Sequence, residues 1–165
     1  MTNGRSFNSG IWKSSFRPMS VSFNQNAWKL IPDSYDEEDG SLFGVIDPKD
    51  GSSFGIDVGC ISKDEKYEYD GYESEYFSRL FNIDNETNEL GRFNLVLDSI
   101  RFQSVLYSFK NRKFGRQIII RGMYLGESEV IGISVAWPES TPLPDGYKVP
   151  PKFDIFFQNF VLRAE

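Results

Sequence analysis

Residues 104–137 contain three stretches rich in strand-forming side chains, at 104–110, 116–124 and 129–137. β-branched and aromatic residues dominate each stretch, and these residue types favour extended backbone. The two connections, at 111–115 and 125–128, are short and each contains glycine, as tight hairpins require. The sequence therefore predicts a three-stranded antiparallel meander around which the rest of the chain must pack.

Further strands are predicted at 20–24, 42–46, 53–61 and 94–100. The clearest is 53–61, where Phe54, Ile56 and Val58 alternate with serine, glycine and aspartate. Its glycines indicate either close packing on one face or a bend in the strand. The sequence Asp-Pro-Lys-Asp-Gly at 47–51 predicts a turn that joins 42–46 to 53–61 in a hairpin.

Two segments carry apolar side chains at helical spacing. In the first, at 72–81, these are Tyr72, Tyr76, Phe77, Leu80 and Phe81. In the second, at 152–162, they are Phe153, Phe156, Phe157, Phe160 and Val161. Pro151 precedes the second segment and suits a first helical position. We expect the second helix to dock along the sheet, because its phenylalanines form one apolar stripe.

These elements predict an α+β fold, in which a single antiparallel sheet of about six strands is flanked by two helices as an αβα sandwich. Residues 1–19 are predicted to be a flexible N-terminal segment, within which 11–16 could pair at a sheet edge. Residues 20–165 are predicted to form a single α+β domain, and this length is sufficient to bury a core.

Composition excludes several kinds of chemistry. The chain has no histidine, so it lacks the commonest general base and zinc ligand. Its one cysteine, Cys60, lies in the predicted strand at 53–61, and we expect a buried, inert thiol there. We therefore predict no catalytic residues, no metal and no cofactor. The net charge of −6 argues against nucleic acid and anionic membranes as partners.

The chain contains no apolar run long enough for a signal peptide or a membrane-spanning helix. The expected location is the cytoplasm. A single cysteine agrees with a reducing compartment.

Two acidic stretches are the candidate partner-binding residues. Five carboxylates fall within 33–40, which predicts an exposed loop, and six lie among tyrosines within 64–75. Tyrosine provides contact area and carboxylates steer a basic partner. The candidates are Asp36, Glu37, Glu38, Asp39, Tyr67, Glu68, Tyr69, Asp70, Tyr72 and Glu73. The alternative is a pair of solvated loops whose tyrosines lie on the core.

A basic cluster surrounds the predicted turn at 111–115. It consists of Lys110, Arg112, Lys113, Arg116 and Arg121. These charges could solubilise a hairpin and pair with the acidic loops, or they could contact an anion or an acidic partner.

The order of elements resembles the PsbP/DcrB-like (Mog-type) fold superfamily. The resemblance covers about residues 21–163: a strand with Phe23, the segment from Trp28 to Pro32, the hairpin 42–61, the helix at 72–81, the meander and the C-terminal helix. It implies an αβα sandwich and non-catalytic binding. Bacterial members linked to type VI secretion act as immunity proteins or effector chaperones. The resemblance transfers no site residues.

The expected function is that of a non-enzymatic immunity protein, which neutralises a cognate toxin or effector by direct binding. The partner is expected to be a protein with a basic surface. The alternative is an effector-loading chaperone or adaptor of a secretion system, which would need an exposed apolar groove. A carboxylate-based hydrolase is a third hypothesis, and it would need two acids within catalytic reach.

Overall fold

A computed structural model describes residues 6–8, 11–13, 19–31, 35–36, 40–60, 88–127 and 129–162. Most of them belong to one antiparallel sheet, whose strands lie in the order β4-β6-β7-β11-β10-β9-β8, with β5 paired to β6. Its strands are β4 (Lys29–Leu30), β5 (Tyr35–Asp36), β6 (Gly40–Ile46), β7 (Ser53–Cys60), β8 (Asn88–Leu97), β9 (Ile100–Asn111), β10 (Gly115–Leu125) and β11 (Glu129–Pro138). The sheet thus has seven strands side by side, and β5 pairs with β6 as an eighth strand. The predicted number was about six.

A smaller sheet contains β1 (Ser6–Asn8), β2 (Ile11–Lys13) and β3 (Ser20–Ser22), which pair in that order. The predicted strand at 11–16 is therefore present at 11–13, but it is the central strand of this small sheet and not an edge strand. The described part of residues 1–19 therefore contains a paired hairpin. The predicted division into a flexible segment at 1–19 and one domain at 20–165 remains a prediction.

The predicted meander is confirmed, and the hairpin of β6 and β7 with it. One turn differs from the prediction. Asp98 and Ser99 have φ values of 48° and 66° and join β8 to β9, so the predicted strand at 94–100 is wrong beyond Leu97. A two-residue hairpin loop needs positive φ, which a pair such as Asn-Gly or Asp-Gly usually supplies. Asp98 is followed by serine and not by glycine, so the residues did not predict this turn.

One face of the sheet carries the aromatic core. A 3₁₀ turn (Pro151–Phe153) and a helix, α1 (Asp154–Asn159), cross this face. The ring of Phe156 stacks on Phe54 with centroids 4.5 Å apart, and it meets Trp28 edge-on at 5.0 Å. Burying a side chain of this size contributes about 1.5–3 kcal/mol before entropy is counted. Pro151 begins the 3₁₀ turn, and the α-helix itself begins at Asp154, later than the predicted start at 152.

The C-terminal helix is shorter than predicted. It ends at Asn159, because Phe160 is extended (φ −76°, ψ 126°) and Val161 pairs with Ser20 of β3. The two backbone N–H···O bonds of that bridge are 2.8 and 3.1 Å long. Phe160 stays buried although it has left the helix. Strand pairing therefore replaces the last helical turn without a loss of core packing.

The predicted pair of flanking helices is not observed in the described part of the chain, which contains α1 as its single α-helix. The other predicted helix, at 72–81, lies outside the described residues. None of the described helices is long and apolar enough to cross a membrane.

Candidate functional site

The face of the large sheet opposite α1 has two distinct halves. Over β9 and β10 it carries an apolar cluster of Val105, Tyr107 and Met123. Burial raises the pKa of Tyr107, and the Glu89 carboxylate raises it further, against an opposing effect of Arg92. Over β6, β7 and β11 this face, which we call the open face because no helix among the described residues crosses it, carries small residues instead.

Strand register places these small residues side by side. Gly44 lies opposite Gly55, which lies opposite Ser134, and Ser53 lies opposite Ala136. Because side chains alternate between the faces of a strand, all five positions lie on the face away from α1. Three adjacent strands therefore offer almost no side-chain bulk, and the backbone itself forms the floor of a trough.

A cleft of about 160 Å³ opens at this trough. Its lining combines apolar, small and charged residues: Ile31, Leu42, Gly44, Ser53, Phe54, Gly55, Asp57, Arg121 and Ser134. Concave sites with a few polar groups on an apolar wall are the usual form of a binding site. This cleft has that composition, with one carboxylate and one guanidinium.

A glycine on the neighbouring strand makes room for the side chain of Asp57 in the cleft. Asp57 lies opposite Gly132, and a Cβ built on Gly132 would come within 2.9 Å of the Asp57 Cγ. The carboxylate therefore occupies the space that a side chain at 132 would fill. It leans across β11 toward β10.

Arg121 reaches the same cleft from β10, where it lies opposite Ser134 of β11. Two strand spacings, about 10 Å, separate the backbones of β7 and β10. Asp57 and Arg121 are half-buried, and within the described residues neither makes an ion pair or a side-chain hydrogen bond. The cleft thus presents two opposite charges, each open to a partner group.

The sequence analysis placed Arg121 in the basic cluster around the turn at 111–115, but in the structure Arg121 lies apart from that turn. Lys110, Arg112, Lys113 and Arg116 lie at the tip joining β9 to β10, whereas Arg121 lies in the cleft. Of the four tip residues, Arg116 is paired, with its Nε 3.2 Å from Glu139.

The acidic turn at 47–51 is a structural clamp. The Lys152 ammonium lies 2.7 Å from Asp47 and 3.1 Å from Asp50, and 5.2 Å from the centre of the Trp28 ring. Burial raises the pKa of Asp50, but hydrogen bonds from Ser52 and Lys152 and the charge of Lys152 outweigh it and lower the pKa overall. The predicted turn is confirmed, and its charges tie the hairpin to the segment that leads into α1.

The predicted partner-binding residues fall almost entirely outside the described residues. These are Glu37, Glu38, Asp39, Tyr67, Glu68, Tyr69, Asp70, Tyr72 and Glu73. Asp36 is described in its backbone, where it forms β5 with Tyr35 opposite Ser41 and Leu42. The prediction of a loop is therefore wrong at these two residues, because the edge of β6 offers them a pairing partner. Within the described chain, no three acidic or cysteine side chains are grouped to hold a metal ion.

Sequence reasoning missed Asp57 and Arg121 as a pair. A signal was present in the glycines around Asp57, which indicated close packing on one face. Nothing in the sequence showed that β11 would insert between β7 and β10 and bring the two charges to one cleft.

Comparison with known proteins supports the fold. No family model matches the chain, and no curated protein sequence matches it. The solution structure of cyanobacterial PsbP (CyanoP) from Synechocystis sp. PCC 6803 is similar, with a TM-score of 0.57 at 10% sequence identity. The match covers 99% of this chain and 98% of that one. The chain therefore has a PsbP-like fold.

Proposed function

We propose that the chain is a non-enzymatic protein-binding protein that neutralises a cognate toxin or effector by direct contact, as a bacterial immunity protein does. We place the charged cleft of the open face within its docking surface. One observation carries the proposal: Asp57 and Arg121 line the same cleft, and neither has an ionic partner among the described residues.

Half-buried charges have lost part of their hydration, so a partner that supplies a counter-charge restores favourable interactions. A basic group would bind Asp57 and an acidic group would bind Arg121. The glycine floor lets a partner's chain approach the backbone of β7 and β11 closely. Charge pairs at the centre of an interface set specificity, and truncating one member of such a pair often costs much of the binding free energy.

The proposed partner is a protein with a basic surface, and the acidic positions from Asp36 to Asp39 and from Tyr67 to Glu73 remain its predicted additional contacts. The type VI secretion-associated branch suggested by the resemblance fits this role. An effector-loading chaperone would instead need an apolar groove. The wall of the cleft is mainly apolar, and it is the two opposite charges, Asp57 and Arg121, that support the neutralising role.

Co-expression with the protein encoded beside this chain tests the proposal. Asp57→Arg and Arg121→Glu should each weaken binding by at least about tenfold, because the partner's group at that position would then meet a like charge. Both should also abolish the rescue of cell growth from the toxin. Binding is measured by titration calorimetry and rescue by colony counts.

Matched controls change the same charge outside the cleft. Glu127→Arg, at the exposed turn between β10 and β11, adds the same charge as Asp57→Arg. Arg101 is exposed on β9, and Arg101→Glu changes the net charge by the same amount as Arg121→Glu. If the cleft variants bind and rescue as well as these controls do, the proposal is wrong.

A further inference from the structure

The strand order gathers cations at one end of the sheet. The β9–β10 hairpin tip carries Lys110, Arg112 and Lys113, and the turn between β6 and β7 carries Lys49. All four side chains are exposed. The two turns touch, because Gln117 donates a 3.2 Å hydrogen bond to the carbonyl of Gly51. The cations of both turns therefore belong to one surface, which we call the basic end.

The backbone of the basic end is fixed by its own contacts. The Asn111 side chain accepts hydrogen bonds from the backbone of Lys113 and Phe114, at 2.8 and 3.0 Å. Gly115 has a φ of 77°, which lets the tip turn back into β10. The Phe114 ring packs against Gly51, which leaves no room for a side chain there. These contacts fix the backbone that carries the cations, so binding need not order the two turns, which lowers its entropic cost.

Carboxylates do not neutralise most of this surface. Lys49, Lys110 and Arg112 make no ion pair within the described residues, and the Lys113 ammonium lies over the Phe114 ring, 5.2 Å from its centre. Lys152, by contrast, is neutralised by two aspartates close by. On a chain of net charge −6, the basic end is thus a local region of opposite sign.

We propose that the basic end docks an acidic segment of a partner protein. Four cations on two adjoining turns match a short run of carboxylates, which each cation can bind through a charge-assisted hydrogen bond. The net negative charge of the molecule repels a long polyanion, so the surface suits a short acidic peptide better than nucleic acid. This inference is independent of the charged cleft, which lies on the open face.

The probe is a fluorescein-labelled peptide of ten glutamates, measured by fluorescence anisotropy with the full chain. We expect binding that weakens as salt is raised, since the contact is ionic. The double variant Lys110→Gln/Arg112→Gln should lose at least about tenfold in affinity. A matched control, Arg101→Gln/Lys148→Gln, removes the same charge from exposed residues away from the tip and should bind as the wild type does.

A cleft variant separates this inference from the proposed function. Asp57→Asn/Arg121→Gln should keep its affinity for the glutamate peptide even where it no longer binds the toxin. Three results would overturn the inference: no binding to the wild type at low salt, equal losses in the tip variant and its control, or tighter binding of a single-stranded DNA of equal charge. Thermal melting of each variant shows that it is folded.

Discussion

The two faces of the large sheet use the same strands in opposite ways. On the α1 face, large rings such as Phe54 and Phe156 fill the space between sheet and helix. On the open face, the same strands carry glycine and serine, and the charges of Asp57 and Arg121 face a cleft. Side-chain alternation allows a strand to supply stability on one side and a binding surface on the other. Mutations on the two faces should therefore differ in what they change.

The largest effect is expected from Phe156→Ala on the α1 face. Removing a fully buried ring that stacks on Phe54 leaves a cavity, so the free energy of unfolding should fall by about 3–5 kcal/mol. Urea unfolding followed by tryptophan fluorescence measures it. Leu143→Ala, at an exposed position, is the control and should change little. A loss below about 1 kcal/mol for Phe156→Ala would show that α1 is not part of the core.

Two glycine substitutions compare the faces directly. A Cβ at Gly122 would lie 2.8 Å from Ile133 Cγ2 and 3.0 Å from Phe102 Cβ, both in the packed core, so Gly122→Ala should cost about 1–3 kcal/mol. A Cβ at Gly132 would meet the Asp57 carboxylate, which can rotate toward solvent. Gly132→Ala should therefore cost clearly less. Equal losses for the two variants in urea unfolding would contradict the contrast between the faces.

A smaller, pH-dependent effect is expected at the clamp. The pKa of Asp50 is lowered below its ordinary value of 3.8, so its ionised form stabilises the folded state above that pH. This stabilisation is lost as the pH falls through the lowered pKa. The stability difference between wild type and Asp50→Asn should thus be present at pH 6 and shrink as the pH falls below 3.8. Because the pair is partly exposed, we expect less than about 1 kcal/mol. An unchanged difference at low pH would exclude the ionic contribution.

The smallest effect on stability is expected in the cleft. Asp57→Asn and Arg121→Gln should each change the free energy of unfolding by no more than about 0.5 kcal/mol, because neither side chain has a partner to lose among the described residues. Urea unfolding measures it. A loss above 2 kcal/mol would show that the two charges stabilise the fold and are not reserved for binding.

Local patterns predicted much of this fold. The meander and the β6–β7 hairpin were readable because their strands alternate and their turns contain glycine or proline. The Asp98–Ser99 turn was not, since its positive φ values are adopted without a glycine. The end of α1 at Asn159 depends on pairing between Val161 and Ser20, a contact that no local pattern encodes.

The cleft was beyond local patterns for the same reason. Asp57 and Arg121 share it through the insertion of β11 between β7 and β10, which is a property of the strand order. The basic hairpin, by contrast, was recognisable from adjacent residues. Its contact with the turn that carries Lys49 was not predicted, because the two turns are far apart in the chain.

The pairing of β7 with β11 also determines how late in folding the large sheet is completed. Eight residue pairs, from Glu129 with Cys60 to Ala136 with Ser53, join segments that lie about 70 residues or more apart in the chain. Closing so long a loop has a high entropic cost, so this pairing should come late in folding. During synthesis, β7 has one edge without its final neighbour until β11 has left the ribosome. In that interval the nascent chain carries an open strand edge that could recruit other chains.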